Sequence, residues 1–231
     1  VGTLRCVNEV AMHGLDRFEV LTHEPFNPIV RSAPDSQKLA AFGRAVPFNY
    51  GFFPQTFCDP DDADELVGFG GDDDPLDVIL LGEEAMRAGS VVHCRPVGAL
   101  CLVDEGNIDW KILAVCPDQG GPLAAARSAD EVEARSPGRI ASAVAWLDAY
   151  KRFSCARGST TALYHQVLSR GKAADLIARG HEAWLRLLAA VREDGRARGH
   201  WICPPGEAAA VRCRARQQRQ RRLRLAPAQK K

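Results

Sequence analysis

Four carboxylates fall within six positions in the stretch Gly71-Asp72-Asp73-Asp74-Pro75-Leu76-Asp77. Val78-Ile79-Leu80-Leu81 follows at once, an apolar run suited to a buried strand. Like charges fixed at one point repel, which is costly unless cations lie between them. Hard oxygen ligands with no nearby His or Cys select Mg²⁺, Mn²⁺ or Ca²⁺ over zinc. A solvated acidic turn before a strand is the plain alternative. Against it stands a second acidic stretch, Asp104-Glu105-Gly106-Asn107-Ile108-Asp109-Trp110-Lys111. Its Asp, Gly and Asn content reads as a hairpin turn flanked by Asp104 and Asp109. Period two along the returning strand puts Asp109 and Lys111 on one face. That pair could be an exposed ion pair of little value. Beside the 72–77 cluster it could instead belong to a site that handles both cations and anions.

The elements that must carry these residues can be read in outline. Thr3 to Val10 reads as a strand with Glu9 near its end, and Arg17-Phe18-Glu19-Val20 alternates polar and apolar. Pro25, Asn27 and Pro28 mark a loop, and Ser36 to Phe42 reads as a short strand. Pro47 to Thr56 is aromatic and bounded by prolines, and it suits a strand lining a pocket, with Tyr50 either there or in the core. Residues 59–71 form a polar loop, and their spacing fails the EF-hand pattern at Ala63 and Asp64. Ser90–Cys94 and Val97–Val103 read as two strand segments broken by Pro96, and Ile108 to Val115 as another strand. The second half turns helical. Ser128-Ala129-Asp130-Glu131 resembles a capping box, Ser136-Pro137 opens a helix ending near Tyr150-Lys151-Arg152, and Lys172 to Val191 is amphipathic. Basic residues at a helix end also suit its dipole, which is the plain reading of Lys151.

Composition sets the class. With 231 residues, 46% hydrophobic and 26% charged, this is an ordinary globular composition able to bury a core without staples. No apolar run approaches the roughly 20 residues of a spanning helix, and the opening Val1-Gly2-Thr3-Leu4 carries no signal peptide pattern. Cysteines at 6, 58, 94, 101, 116, 155, 203 and 213 form no CxxC pair, and most read as reduced core residues. The formal net charge of +1 conceals an asymmetry: residues 192–231 carry +9, leaving −8 for the rest. The expected organisation is one domain over 1–191 and a basic, disordered tail over 192–231. The tail lacks stacking aromatics, so nucleic-acid contact is not expected of it.

Several stretches, in order, resemble the soluble inorganic pyrophosphatases of family I. The 71–77 stretch resembles their D-x-D-P-x-D signature. Asn49-Tyr50-Gly51-Phe52-Phe53-Pro54-Gln55-Thr56 is similar to N-Y-G-x-x-P-Q-T, and 104–111 to D-E-G-x-x-D-W-K. Glu24 to Ile29 resembles the segment ending N-P-I, Glu9 to Val20 a strand pair with a metal-side Glu and a substrate-side base, and Tyr150-Lys151 a late Tyr-Lys pair. The resemblance covers about residues 6 to 190 and is closest to eukaryotic and protist members, with some bacterial-type features. It implies an α+β fold with a small five-stranded OB-like β-barrel flanked by helices and followed by the basic tail. It implies Mg-dependent hydrolysis of pyrophosphate to two phosphates by a metal-activated water. Mn²⁺ would be a substitute and Ca²⁺ an inhibitor.

By the same resemblance, Asp72, Asp77 and Asp109 hold activating metal, Asp104 meets the ion arriving with substrate, and Glu19 acts through metal-bound water. Asp74 takes the proton of the nucleophilic water. Arg17, Tyr50, Lys111, Tyr150 and Lys151 contact phosphate oxygens. A homo-oligomer is expected, a dimer favoured, in the cytoplasm, with an organelle or acidic vacuole as the alternative. The departures are specific. Arg17 stands where Lys is usual, which changes donor geometry. Ala11-Met12-His13 replaces P-R-W, and Asn107 replaces a Glu. The phosphate-clamping Arg has no secure counterpart, with Arg44 a guess and Lys38 its rival. Two other classes stay open: a weakened relative acting as a metal or phosphate scaffold, and an OB-like nucleic-acid module, which the acidic body disfavours. Every matched site residue lies at or before Lys151, so the tail is expected to be dispensable for turnover.

Overall fold

The computed structural model describes residues 2–65, 68–104, 106–154, 161–192 and 195–202, with the backbone alone at 161–165. In chain order the elements are β1 (Leu4–Val10), β2 (Phe18–Val20), β3 (Ile29–Arg31), α1 (Ala33–Phe42), β4 (Asn49–Phe52), β5 (Asp77–Leu80), β6 (Val91–Asp104) and β7 (Asn107–Val115). They continue with α2 (Ala129–Arg135), α3 (Arg139–Ser154), β8 (Thr161–Leu168), α4 (Arg170–Ala189), β9 (Arg196–Ala197) and β10 (His200–Trp201).

The main sheet runs β1-β4-β5-β7-β6-β8, and β1 also pairs with β6. Five strands therefore close into a ring, as the expected fold requires, and β8 is a sixth strand added beside β6. β6 makes this closure possible. Its first half, from Val91 to Cys94, pairs with β1, and its second half, from Ala99 to Asp104, with β8. The expected break at Pro96 is instead a register shift between Pro96 and Gly98 in one continuous strand. A proline cannot donate to a ladder, so the strand bends there and continues. β5 and β7 pair in parallel and the neighbouring ring pairs are antiparallel.

The apolar runs of β5 and β7 serve two cores at once. Ile79, Leu81, Leu113 and Val115 pack with Phe48 and with Ile140, Val144, Trp146 and Leu147 of α3. Their alternates Val78, Leu80, Ile112 and Ala114 pack with Trp110 and with Ala173 and Leu176 of α4. Burial on both faces explains why these strands are apolar throughout rather than alternating.

Residues 36–42 are helical, not the strand expected. Ser32 at the N-cap, Pro34 in the first turn and Gly43 at φ +70° closing the C-terminus are helix start and stop signals that outweigh the short apolar run. Packing also continues past the expected boundary at 191. β9 and β10 pair, and Ala197 and Ile202 join Phe57, Ala183 and Leu187 in a third core cluster. The rest of the expected tail, from 203 on, lies outside the described residues, as do Glu105 and the 155–160 segment.

Gly51 in β4 shows how tightly the ring closes. A Cβ there would collide with the Val7 carbonyl of β1. The variant Gly51→Ala is expected to lose about 3 kcal/mol, at the upper end of overpacking costs, because backbone rather than a movable side chain must give way. Urea unfolding that leaves the midpoint unchanged would contradict this.

Candidate active site

Strand register assembles the acidic residues. Asp77 opens β5 opposite Lys111 of β7 in the parallel pair, and Asp109 lies two residues before Lys111 on the same face. The 71–74 turn folds back over this point. Asp73 N–H donates to Cys58 O at 3.0 Å and Cys58 N–H to Asp74 O at 2.8 Å, while a Cβ on Gly71 would collide with the Cys58 backbone. One carboxylate oxygen each from Asp72, Asp77 and Asp109 then lies within 4.8 Å of the others. All three line a cleft of about 290 Å³.

The buried ammonium of Lys111 donates to Asp77, to Asp109 and, at 2.8 Å, to the Tyr50 hydroxyl. Burial alone would lower its pKa. Asp109 and Asp77 outweigh burial and push it well above the ordinary lysine value. The carboxylates respond in the opposite sense. Desolvation, then Asp109 and Asp77, push Asp72 up to about 8. Desolvation raises Asp109 as well, and Lys111 offsets part of the shift. Asp74 keeps solvent access, yet desolvation in the cleft, then Asp77 and Asp73, push it up to about 6. The carboxylates around Lys111 thus outnumber its charge, and their repulsion together with burial raises Asp72 and Asp109.

Basic and aromatic side chains complete the lining. Arg17, Tyr50, Tyr150 and Lys151 line the same cleft, together with Glu9, Glu19 and Asp104. Lys151, near the end of α3, pairs with Asp104 at the end of β6. Tyr150 stacks on Trp146 with ring centroids 5.0 Å apart. Burial opposes the charge of Arg17, but Tyr50 and Asp35 prevail and raise its pKa. Glu9 is buried and accepts from Val20 N–H at 2.7 Å, tying β1 to β2. Desolvation, then Asp77, push its carboxyl up to about 8.

All but one of the residues expected in the site line this cleft. Arg44 does not: its guanidinium lies over the Phe42 ring, 5.5 Å from the centroid. The rival Lys38 is paired with Asp35 at 3.1 Å and also lies off the cleft. Two contributors were not read as such from the sequence. Glu9 opens the strand pair that resembles the family's metal-side segment, yet it is not among the expected site residues, although a carboxylate buried near a strand end marks a charge with a task. His200 sits among arginines in a stretch read as tail, and no sequence signal singles it out.

The donor set fits a hard divalent cation. Three carboxylates converge with no His or Cys among them. Asp72 Oδ1 is moreover buried without a hydrogen-bond partner among the described residues. A buried acceptor of this kind is costly unless something fills its coordination.

Comparison with known proteins agrees with this arrangement. The sequence model of the inorganic pyrophosphatase family matches residues 6–185. The soluble inorganic pyrophosphatase 1 of Chlamydomonas reinhardtii, a chloroplastic protein, is 31% identical over 192 residues, 83% of this chain and 68% of that protein. A second chloroplastic relative, from Arabidopsis thaliana, is 31% identical over 81% of this chain and 62% of its own length. The chain thus spans about two thirds of the length of these curated relatives. The crystal structure of type I inorganic pyrophosphatase from Toxoplasma gondii superposes with a TM-score of 0.68 at 30% identity, covering 80% of each chain. A truncated vacuolar soluble pyrophosphatase of Trypanosoma cruzi reaches 0.71 at 25% identity, covering 82% of this chain and 71% of that one. With the matched span running from the first strand of the ring into α4 and holding every carboxylate of the cleft, the chain belongs to the inorganic pyrophosphatase family.

Proposed function

We propose that this chain hydrolyses pyrophosphate to two phosphates in a divalent-metal-dependent reaction. One observation carries the reading: the Asp72–Asp77–Asp109 triad, whose Asp72 Oδ1 has no hydrogen-bond partner among the described residues, shares a single cleft with Arg17, Tyr50 and Lys151. Pyrophosphate is shielded by its own negative oxygens, so attack on phosphorus needs both charge neutralisation and a hydroxide. Bound Mg²⁺ supplies Lewis-acid chemistry that brings the pKa of a water toward neutrality. Asp72, Asp77 and Asp109 would hold it, with Asp104 and Glu19 at the substrate side. The relative from Trypanosoma cruzi was solved in complex with PPi, which supports the same ligand here.

The remaining steps belong to the chain's own residues. Lys111 serves as counter-charge to Asp77 and Asp109 without metal, and to a phosphate oxygen once metal takes that task. Arg17, Tyr50, Tyr150 and Lys151 orient the phosphates. Asp74, in the rim and raised to about 6, takes the proton of the attacking water. Arg44 and Lys38 both lie off the cleft, and this observation favours the second reading, a relative with weakened turnover. A reducing compartment such as the cytoplasm suits the free cysteines, and the chloroplastic relatives make an organelle the alternative. Among the described residues no helix is long and apolar enough to cross a membrane. The family resemblance supports a homodimer.

Phosphate release should require divalent metal, with Mg²⁺ best, Mn²⁺ weaker and Ca²⁺ inhibitory because its looser coordination misplaces the nucleophile. Full activity in excess chelator would overturn the reaction proposed. Failure to release phosphate with Mg²⁺ would favour the scaffold reading.

Asp74→Asn should lower turnover by about 10²–10⁴-fold with metal affinity largely kept, the usual range for losing a general base. Asp77→Asn should instead weaken metal binding directly. Metal titrations followed by turnover at saturating Mg²⁺ separate the two roles. Restoration of Asp74→Asn by extra Mg²⁺ alone would make Asp74 a ligand rather than a base.

The raised carboxyls also fix a pH trend. Asp72 and Glu9 ionise near 8 in the metal-free fold against about 4 when unfolded, so between these values the folded state binds more protons. Their stabilising contribution is complete below about pH 4 and is lost as pH rises toward 8. The Tm of metal-free protein should therefore fall from pH 5 to pH 8.5. Added Mg²⁺ should raise it far more at pH 8.5. A metal-free Tm that climbs over this range contradicts the assignment.

A further inference from the structure

The β9–β10 hairpin lies beyond the span matched by the family model, yet it contacts Asp73 and Thr22, close in sequence to residues that line the cleft. Its His200 is buried. The ring Nε2 lies 3.2 Å from Asp73 Oδ1, and Nδ1 lies 3.0 Å from the Thr22 hydroxyl. A carboxylate only accepts, so Nε2 carries the donated hydrogen, and in the neutral ring Nδ1 accepts from Thr22. The ring packs edge-on to Phe57 at 5.4 Å between centroids.

Each partner of His200 sits next to chemistry. Asp73 stands between Asp72 and Asp74 and holds a left-handed φ of +66°, where a non-glycine residue needs outside support. Thr22 lies two residues past β2, which carries Glu19, and Arg17, just ahead of β2, lines the cleft. The hairpin reinforces both ends. Trp201 N–H donates to Thr22 O at 2.6 Å, and Arg196 to His23 O at 2.6 Å. Arg198 pairs with Asp59 at 2.7 Å and Asp61 at 2.8 Å, in the loop that leads to the acidic turn.

We propose that His200 is a positioning residue, a cross-brace between the metal-binding turn and the phosphate-binding wall that fixes the width of the cleft. The proposal rests on the reading of the cleft given above. His200 reaches no substrate itself. It holds Asp73, and through the backbone Asp72 and Asp74, at a set distance from Arg17 and Glu19. Groups hydrogen-bonded directly to metal ligands typically change metal affinity by about 10–100-fold when lost, and His200, acting one residue further out through Asp73, is expected at the lower end of that range. Small displacements of reacting groups are similarly costly to rate.

The test uses the full chain and two readouts: Mn²⁺ binding by calorimetry without substrate, and kcat and KM for pyrophosphate with Mg²⁺. His200→Ala should weaken Mn²⁺ binding about tenfold and lower kcat about tenfold. His200→Gln, whose amide can both donate to Asp73 and accept from Thr22, should recover most of both. The double variant His200→Ala with Asp73→Ala should be no worse than the poorer single one, because both cut the same link. Unchanged Mn²⁺ affinity and kcat in folded His200→Ala, or a Gln variant as impaired as Ala, overturns the brace. Should His200→Ala fail to fold, Thr22→Val severs one arm, and it must weaken Mn²⁺ binding or the proposal falls. A wild-type chain that binds Mn²⁺ but releases no phosphate would refute the reaction, while the Mn²⁺ readout would still decide the brace.

Discussion

Carboxylates that repel one another have been gathered around a single buried ammonium, and the surrounding structure follows from that crowding. Asp109 and Lys111 share one face of β7, and the parallel register of β5 and β7 brings Asp77 opposite Lys111, so that one ammonium meets both carboxylates. A shift by one residue would turn Lys111 and Asp109 into the opposite core. The ring holds this register from every side: β4 flanks β5, β6 flanks β7, and β1 joins the two ends. The apolar faces above and below supply the low dielectric that makes both the repulsion and the Lys111 contacts strong.

The balance is incomplete in the chain alone. Burial and mutual repulsion leave Asp72 and Glu9 holding protons near neutral pH, and Asp72 Oδ1 has no partner among the described residues. Cations would complete what the side chains leave open, and Arg17, Tyr150 and Lys151 line the same cleft, where they would meet an anion. On the function proposed above, one charge distribution would serve both cation and anion, with Lys111 bonded to Asp77, Asp109 and the Tyr50 hydroxyl at its centre.

Much of this was legible in the sequence, for identifiable reasons. The strands bearing Asp77, Asp109 and Lys111 announce themselves as apolar runs, and the acidic turn is compact enough to be one unit. Local signals failed where they competed. Residues 36–42 looked extended, yet the capping pattern at Ser32, Pro34 and Gly43 made them helical. Pro96 looked like a break, yet a bulge absorbs it. No local pattern marks which basic residue reaches the cleft from the 38–44 stretch, and Arg44 rests over the Phe42 ring. His200 was hidden because its meaning lies in contacts with Thr22 and Asp73, far away in sequence and joined only by the fold.

Ring closure carries a consequence for how the molecule comes to be. Residues 4–7 must find residues 91–94, and the β5–β7 pair must form across the whole of β6. Such nonlocal pairings are slow to assemble because the entropy of loop closure is spent before the contacts return anything. The triad draws on both sides of the β5–β7 pair, so no local fragment of the chain contains it. A metal held by this triad would therefore bind late in folding, as a witness to a finished ring rather than as a seed for it.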